Sequence, residues 1–149
     1  MAFAINFTNE PNELLGDDNT PSAIGEILLG DYRDTFAATL FEWSRPQYEA
    51  SWRFELKRLL DGADRAVLLT QLLIPGKNGL PNWWALYRGE QNEVVIQEHL
   101  GINAELFILF SPQNPSDSLK DREIATNDGQ PISEWIVQTE DIEAFLNSN

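Results

Sequence analysis

Hydrophobic and polar positions alternate at the start of the chain. Phe3, Ile5 and Phe7 flank Ala4 and Asn6, the period-two pattern of a short amphipathic strand. Residues 9–22 are dense in turn formers, with Pro11, Gly16, Asp17, Asp18, Asn19 and Pro21, and read as a loop. Ile24–Leu29 and Asp34–Glu42 are the next predicted strands. The period then changes. Tyr48, Trp52, Leu56, Leu59 and Leu60 fall on one helical stripe. Ser44 stands where an N-cap would, Pro46 suits the first turn, and Gln47 sits three residues after Ser44 as a capping box requires. Lys57 and Arg58 complement the dipole at the far end, and Gly62 suits a C-terminal cap.

Beyond this helix the strand period returns. Arg65–Ile74, Asn82–Arg88 and Glu93–His99 are separated by the turn-rich 75–81 and the tight turn 89–92, so they predict a three-stranded antiparallel meander. Leu106–Phe110 predicts a further strand. Residues 111–131 predict a long polar loop with a short helix near Asp117–Arg122. Ile132–Gln138 predicts a last strand, and Thr139 would cap a closing helix carrying Ile142, Phe145 and Leu146 on one side. The sum is an α+β fold of seven or eight strands in mostly antiparallel sheets, with one long central helix and a C-terminal helix. With 149 residues and no linker or repeat, residues 1–149 form one expected domain.

Charge changes the picture. Ten basic residues face 24 acidic ones, for a net charge of −14. Nearly all of the excess lies at the two ends: residues 1–35 hold seven acids and one base, and residues 101–149 hold nine acids and two bases. Such a field argues against nucleic-acid or anionic-membrane binding and suits a basic partner. No cysteine is present, which excludes disulfides, thiolate metal sites and cysteine nucleophiles. The chain lacks a membrane-length apolar run and the basic start of a signal peptide, so a cytoplasmic location is expected.

Catalytic signals are weak. His99 is the only histidine, and its neighbour Glu98 would face the other side of a strand. Asp117, Asp121, Glu123 and Asp128 fail the calcium-loop spacing, because Thr126 and Ile124 stand where ligands would be required. The chain has neither a phosphate-loop motif nor a nucleophile elbow. No catalytic residue, cofactor or metal is assigned. Trp83 and Trp84 are strand neighbours, so one is exposed unless both faces of the sheet are covered.

Motifs in a fixed order then point to a family. Trp43, Tyr48 with Ser51-Trp52, Trp84-Ala85-Leu86-Tyr87 and Val94-Val95-Ile96-Gln97 precede Ser111-Pro112-Gln113-Asn114 and Asn127-Asp128-Gly129. Ile132-Ser133-Glu134-Trp135 follows, then Asp141-Ile142 and Phe145-Leu146-Asn147-Ser148. Over residues 40–149 this order resembles one branch of the contact-dependent growth inhibition immunity proteins. The resemblance implies Whirly-like packing of two sheets and neutralisation of a toxin that cleaves ribosomal RNA. It implies a non-enzymatic protein whose partner is a basic toxin domain, without direct nucleic-acid or membrane contact. The expected toxin-binding surface is the 117–134 region: Asp117, Asp121, Glu123, Asp128 and Glu134, with the adjacent Trp135. Two other readings stay open, a Whirly-like single-stranded nucleic-acid binder and a small hydrolase using paired carboxylates.

Overall fold

The computed structural model describes residues 2–15, 19–74, 77, 79–99, 111–126 and 128–148. Among these residues, eight strands and two helices follow one another in the order β1 (Phe3–Phe7), β2 (Glu13–Leu15), β3 (Thr20–Leu29), β4 (Tyr32–Thr39), α1 (Arg45–Leu60), β5 (Arg65–Gln71), β6 (Asn82–Arg88), β7 (Glu93–His99), β8 (Glu134–Gln138) and α2 (Thr139–Leu146). A 3-10 turn at Pro115–Ser118 precedes β8. The α+β assignment stands.

The strands form two antiparallel sheets. In the first, β3 is central: β1 pairs with its second half, β2 with its first, and β4 runs along its other edge. The second sheet is the predicted meander extended by one strand, in the order β5-β6-β7-β8. Part of the expected loop 9–22 is therefore strand. Glu13–Leu15 pairs with Thr20–Ser22, and Asn19, just before β3, takes a positive φ of 54°. The partner strand extends the pairing into a segment without apolar alternation. The expected strand Leu106–Phe110 lies outside the described residues. The loop 111–131 holds its short helix earlier than expected, at Pro115–Ser118.

Helix α1 starts as its local signals require. Ser44 is the N-cap, and its backbone N–H donates to Gln47 Oε1 at 2.9 Å. At the other end Gly62 has φ +117°, its N–H donates to the Leu59 carbonyl, and the Ala63 N–H donates to that of Arg58. This pair of bonds is a Schellman closure, which favours glycine because a Cβ is strained at that φ. Helix α2 differs from expectation. Gln138 is its N-cap, its N–H donating to Asp141 Oδ2 at 2.8 Å, and Thr139 is already helical.

The helix α1 seals the free edge of β5. An edge strand presents unpaired N–H and C=O groups. Here Trp52 Nε1 donates to the Leu69 carbonyl at 2.7 Å, Glu55 Oε1 accepts the Val67 N–H at 3.0 Å, and Tyr48 Oη accepts the Leu72 N–H at 2.8 Å. The Tyr48 hydroxyl also donates to the Thr39 carbonyl at 2.7 Å, tying the end of β4 to the end of β5. At the opposite end of β4, Tyr32 stacks on Trp135 of β8. Strand β4 thus crosses the second sheet from one edge to the other. The core lies between, with Ile5, Ile27, Tyr48, Trp52, Leu56, Leu68, Trp84 and Ile96 all buried. Gly25 is required opposite Phe36, since a Cβ there would meet the Phe36 ring at 2.2 Å. That ring is thereby free to pack edge-on against Trp52.

Candidate functional site

Both faces of the second sheet are covered, which is why Trp83 and Trp84 are both buried. Trp84 shares its face with Trp135 and meets it edge-on at 5.6 Å, toward the first sheet. Trp83 faces the other way and stacks on His99 at 5.5 Å.

On that second face the chain from 119 to 123 forms a strap. Arg65 Nη1 on β5 donates to the Leu119 carbonyl at 2.9 Å, Tyr87 Oη on β6 to that of Lys120 at 3.0 Å, and Gln97 Nε2 on β7 to that of Glu123 at 2.8 Å. Three adjacent strands thus each hold one strap carbonyl. Arg122 completes the crossing to β8 by a two-pronged contact with Glu134, Nε to Oε2 at 2.6 Å and Nη2 to Oε1 at 2.5 Å. With its carbonyls turned to the sheet, the strap leaves Asp121 and Glu123 exposed. Past the strap, a small hairpin closes with the Ile132 N–H on the Ile124 carbonyl and the Ala125–Pro131 bridge. Gly129, at φ +80°, turns it beside the exposed Asp128.

The expected site residues divide accordingly. Asp117 is exposed in the 3-10 turn that leads into the strap. Asp121 bonds Arg65 Nη2 at 2.7 Å while its side chain stays 93% exposed. Glu134 is held below the usual carboxylate range by Arg122 and by the Gln97 amide. Trp135 points through the opposite face of β8, away from the strap acids and against Tyr32 and Trp84. The structure therefore gathers Asp121, Glu123 and Glu134 along one face and separates Trp135 from them.

His99 sits with Gln97, its Nε2 3.1 Å from Gln97 Oε1. Burial pushes its pKa down, and Glu123 opposes that shift. Glu98 points to the other face, as adjacent strand residues must. An open groove of about 350 Å³ beside α1 is lined by Ile5, Asn6, Glu49, Trp52, Arg53 and Phe145, with Glu49 its one carboxylate among the described residues. Among the described residues no three of His, Asp and Glu cluster as metal ligands, and no helix is long and apolar enough to cross a membrane.

Sequence reasoning missed a second group of acids. Tyr32 on β4 stacks on Trp135, whose sheet face also carries Glu98 of β7, and after burial both Asp34 and Glu98 push the Tyr32 hydroxyl up. Tyr32 and Asp34 are two apart on one strand and so share a side, a signal present in the sequence. Their approach to Glu98 is set by the crossing of the sheets.

Known proteins resemble this chain over nearly all of its length. The model of the CdiI N-terminal domain family matches residues 38–145. The immunity protein CdiI of Enterobacter cloacae subsp. cloacae is 28% identical over 146 residues, covering 98% of this chain and 97% of that one. A solved structure, the CdiA-CT/CdiI toxin and immunity complex from Enterobacter cloacae, contains a chain that superimposes with a TM-score of 0.81 at 24% identity. The match covers 98% of this chain and 97% of that one.

Proposed function

Because the chain belongs to the CdiI N-terminal domain family, we propose that it is an immunity protein that binds and neutralises a cognate CdiA-CT-type toxin domain. The binding is stoichiometric and non-catalytic, and it takes place in the cytoplasm. The toxin is a nuclease, most simply a ribonuclease. Such an enzyme must be basic around its substrate groove, since it has to meet phosphates. The observation that carries the electrostatic part of this reading is the strap. Its backbone is fastened across three strands, and its carboxylates are turned outward. Asp117, Asp121, Glu123 and Asp128 offer exposed oxygens where a nuclease expects phosphate, while Glu134 holds Arg122 and so fastens the strap that carries two of them. The net charge of −14 steers the encounter.

The test joins growth rescue to a pull-down. This chain is co-expressed with the C-terminal toxin domain encoded immediately upstream of its gene. Rescue with one-to-one co-purification is the expected result. An active toxin that is neither bound nor neutralised overturns the proposal.

A further inference from the structure

The two sheets meet at a surface that the strap does not include. The Tyr32 ring on β4 stacks on Trp135 of β8 with centroids 4.5 Å apart and planes 28° from parallel. Tyr32 nevertheless remains 36% exposed. Asp34 lies two residues further along the same side of β4. Glu98 pairs across the sheet with Trp84 and shares its face with Trp135.

Strand register thus puts Glu98 on the face of the second sheet that Tyr32 stacks against, and Asp34 follows Tyr32 on the same side of β4, so two carboxylates from different sheets border one exposed aromatic ring. Burial, and then the Asp34 carboxylate, push the Glu98 carboxyl above its ordinary range. Burial, followed by Asp34 and Glu98, raises the Tyr32 hydroxyl. The neighbouring Arg33 faces the other side of β4, where it meets Glu26 at 3.6 Å. Among the described residues neither Asp34 nor Glu98 holds an ion pair. This differs from the strap, where Asp121 and Glu134 already hold Arg65 and Arg122.

We propose that Tyr32, Asp34 and Glu98, backed by Trp135, form the anchoring point for an arginine side chain of the toxin partner. The proposal rests on the immunity reading above and adds to it where the partner is held. A guanidinium would lie on the open face of Tyr32 and direct its donors to both carboxylates, combining cation–π contact with charge-assisted hydrogen bonds. It would also relieve the repulsion between the two acids. Tyrosine, tryptophan and arginine are the residues that dominate binding hot spots. Because Glu134 and Trp135 face opposite sides of β8, the last strand of its sheet among the described residues, a partner seated there touches both regions. The strap acids steer it, and the Tyr32 surface retains it.

The experiment is calorimetric titration of the full chain with the toxin domain encoded beside its gene. The Asp34→Asn/Glu98→Gln pair keeps side-chain shape and removes charge, and it is expected to weaken binding by about 30-fold or more. Tyr32→Ala is expected to cost about 10-fold, whereas Tyr32→Phe keeps the ring and most of the affinity. Glu49→Gln, beside the α1 groove, serves as the control and binds as wild type. If Tyr32→Ala fails to fold, the isosteric amide pair still decides the matter. Tight wild-type binding with the amide pair unchanged within about twofold overturns this anchoring site and leaves the immunity reading standing. Absence of wild-type binding to active toxin overturns the immunity reading, and this site with it.

Discussion

The fully buried Glu55 carboxylate accepts the Val67 backbone N–H at 3.0 Å with Oε1 and the Arg58 guanidinium at 3.1 Å with Oε2. A charged helix residue thereby closes the edge of a sheet that would otherwise offer an open backbone. Glu55→Ala leaves the Val67 amide without its acceptor and strips Arg58 of its carboxylate, leaving it the Ser116 hydroxyl, and the expected loss is about 3 kcal/mol. Glu55→Gln keeps an oxygen for Val67 and loses less. Urea denaturation of the two variants measures the difference, and equal stabilities would remove the sealing argument.

Tyr87 links strap stability to alkaline pH. Burial is the main cause that pushes its hydroxyl up to about 12 from an ordinary 10. A raised pKa means that the folded state keeps the proton longer than the unfolded chain does. The contribution is complete below pH 10 and is lost as pH rises toward 12. Two units correspond to about 2.7 kcal/mol as an upper bound. Melting curves from pH 9 to 12 are expected to fall more steeply for wild type than for Tyr87→Phe. The variant also loses about 1 kcal/mol at neutral pH, because the Lys120 carbonyl loses its donor. Parallel curves for the two proteins would contradict this.

Glu134 acts at the acid end. Arg122 first, then Gln97, lower its pKa below 4.5, so its stabilisation is present above pH 4.5 and fades as pH falls through the lowered value. Arg122 is substantially exposed, with 41% of its side chain in solvent, and the pair is correspondingly screened. Arg122→Ala is expected to flatten the stability profile below pH 5 and to raise proteolysis within 117–131. An unchanged acid profile together with unchanged cleavage would show that the strap does not depend on this bridge.

Salt separates steering from holding. Raising salt from low to about 0.5 M shortens the screening length to a few ångströms and is expected to slow toxin association about tenfold or more. Dissociation should change much less, because it is set by desolvated anchors. Stopped-flow tryptophan fluorescence follows both rates. A salt-independent association rate would remove the electrostatic part of the proposal.

Local chemistry alone determined much of the frame. The Ser44–Gln47 box, the Tyr48–Trp52–Leu56–Leu59 stripe and Gly62 place α1, because a helix is stabilised by contacts within a few residues. The meander of β5, β6 and β7 was legible for a similar reason, since turn-forming residues separate its apolar runs in the sequence. The acidic stretch 117–134 was legible as composition. Strand β2 was hidden among turn formers because its pairing is specified by β3, not by its own pattern. Only the tertiary structure decided that Glu55 is buried, that both Trp83 and Trp84 are covered, and that Glu134 and Trp135 serve opposite faces. It alone laid Tyr32 and Asp34 of β4 over the sheet face that carries Glu98. Strand alternation says which residues share a face, but what covers each face, and which distant strand crosses it, depends on contacts between residues far apart in the chain.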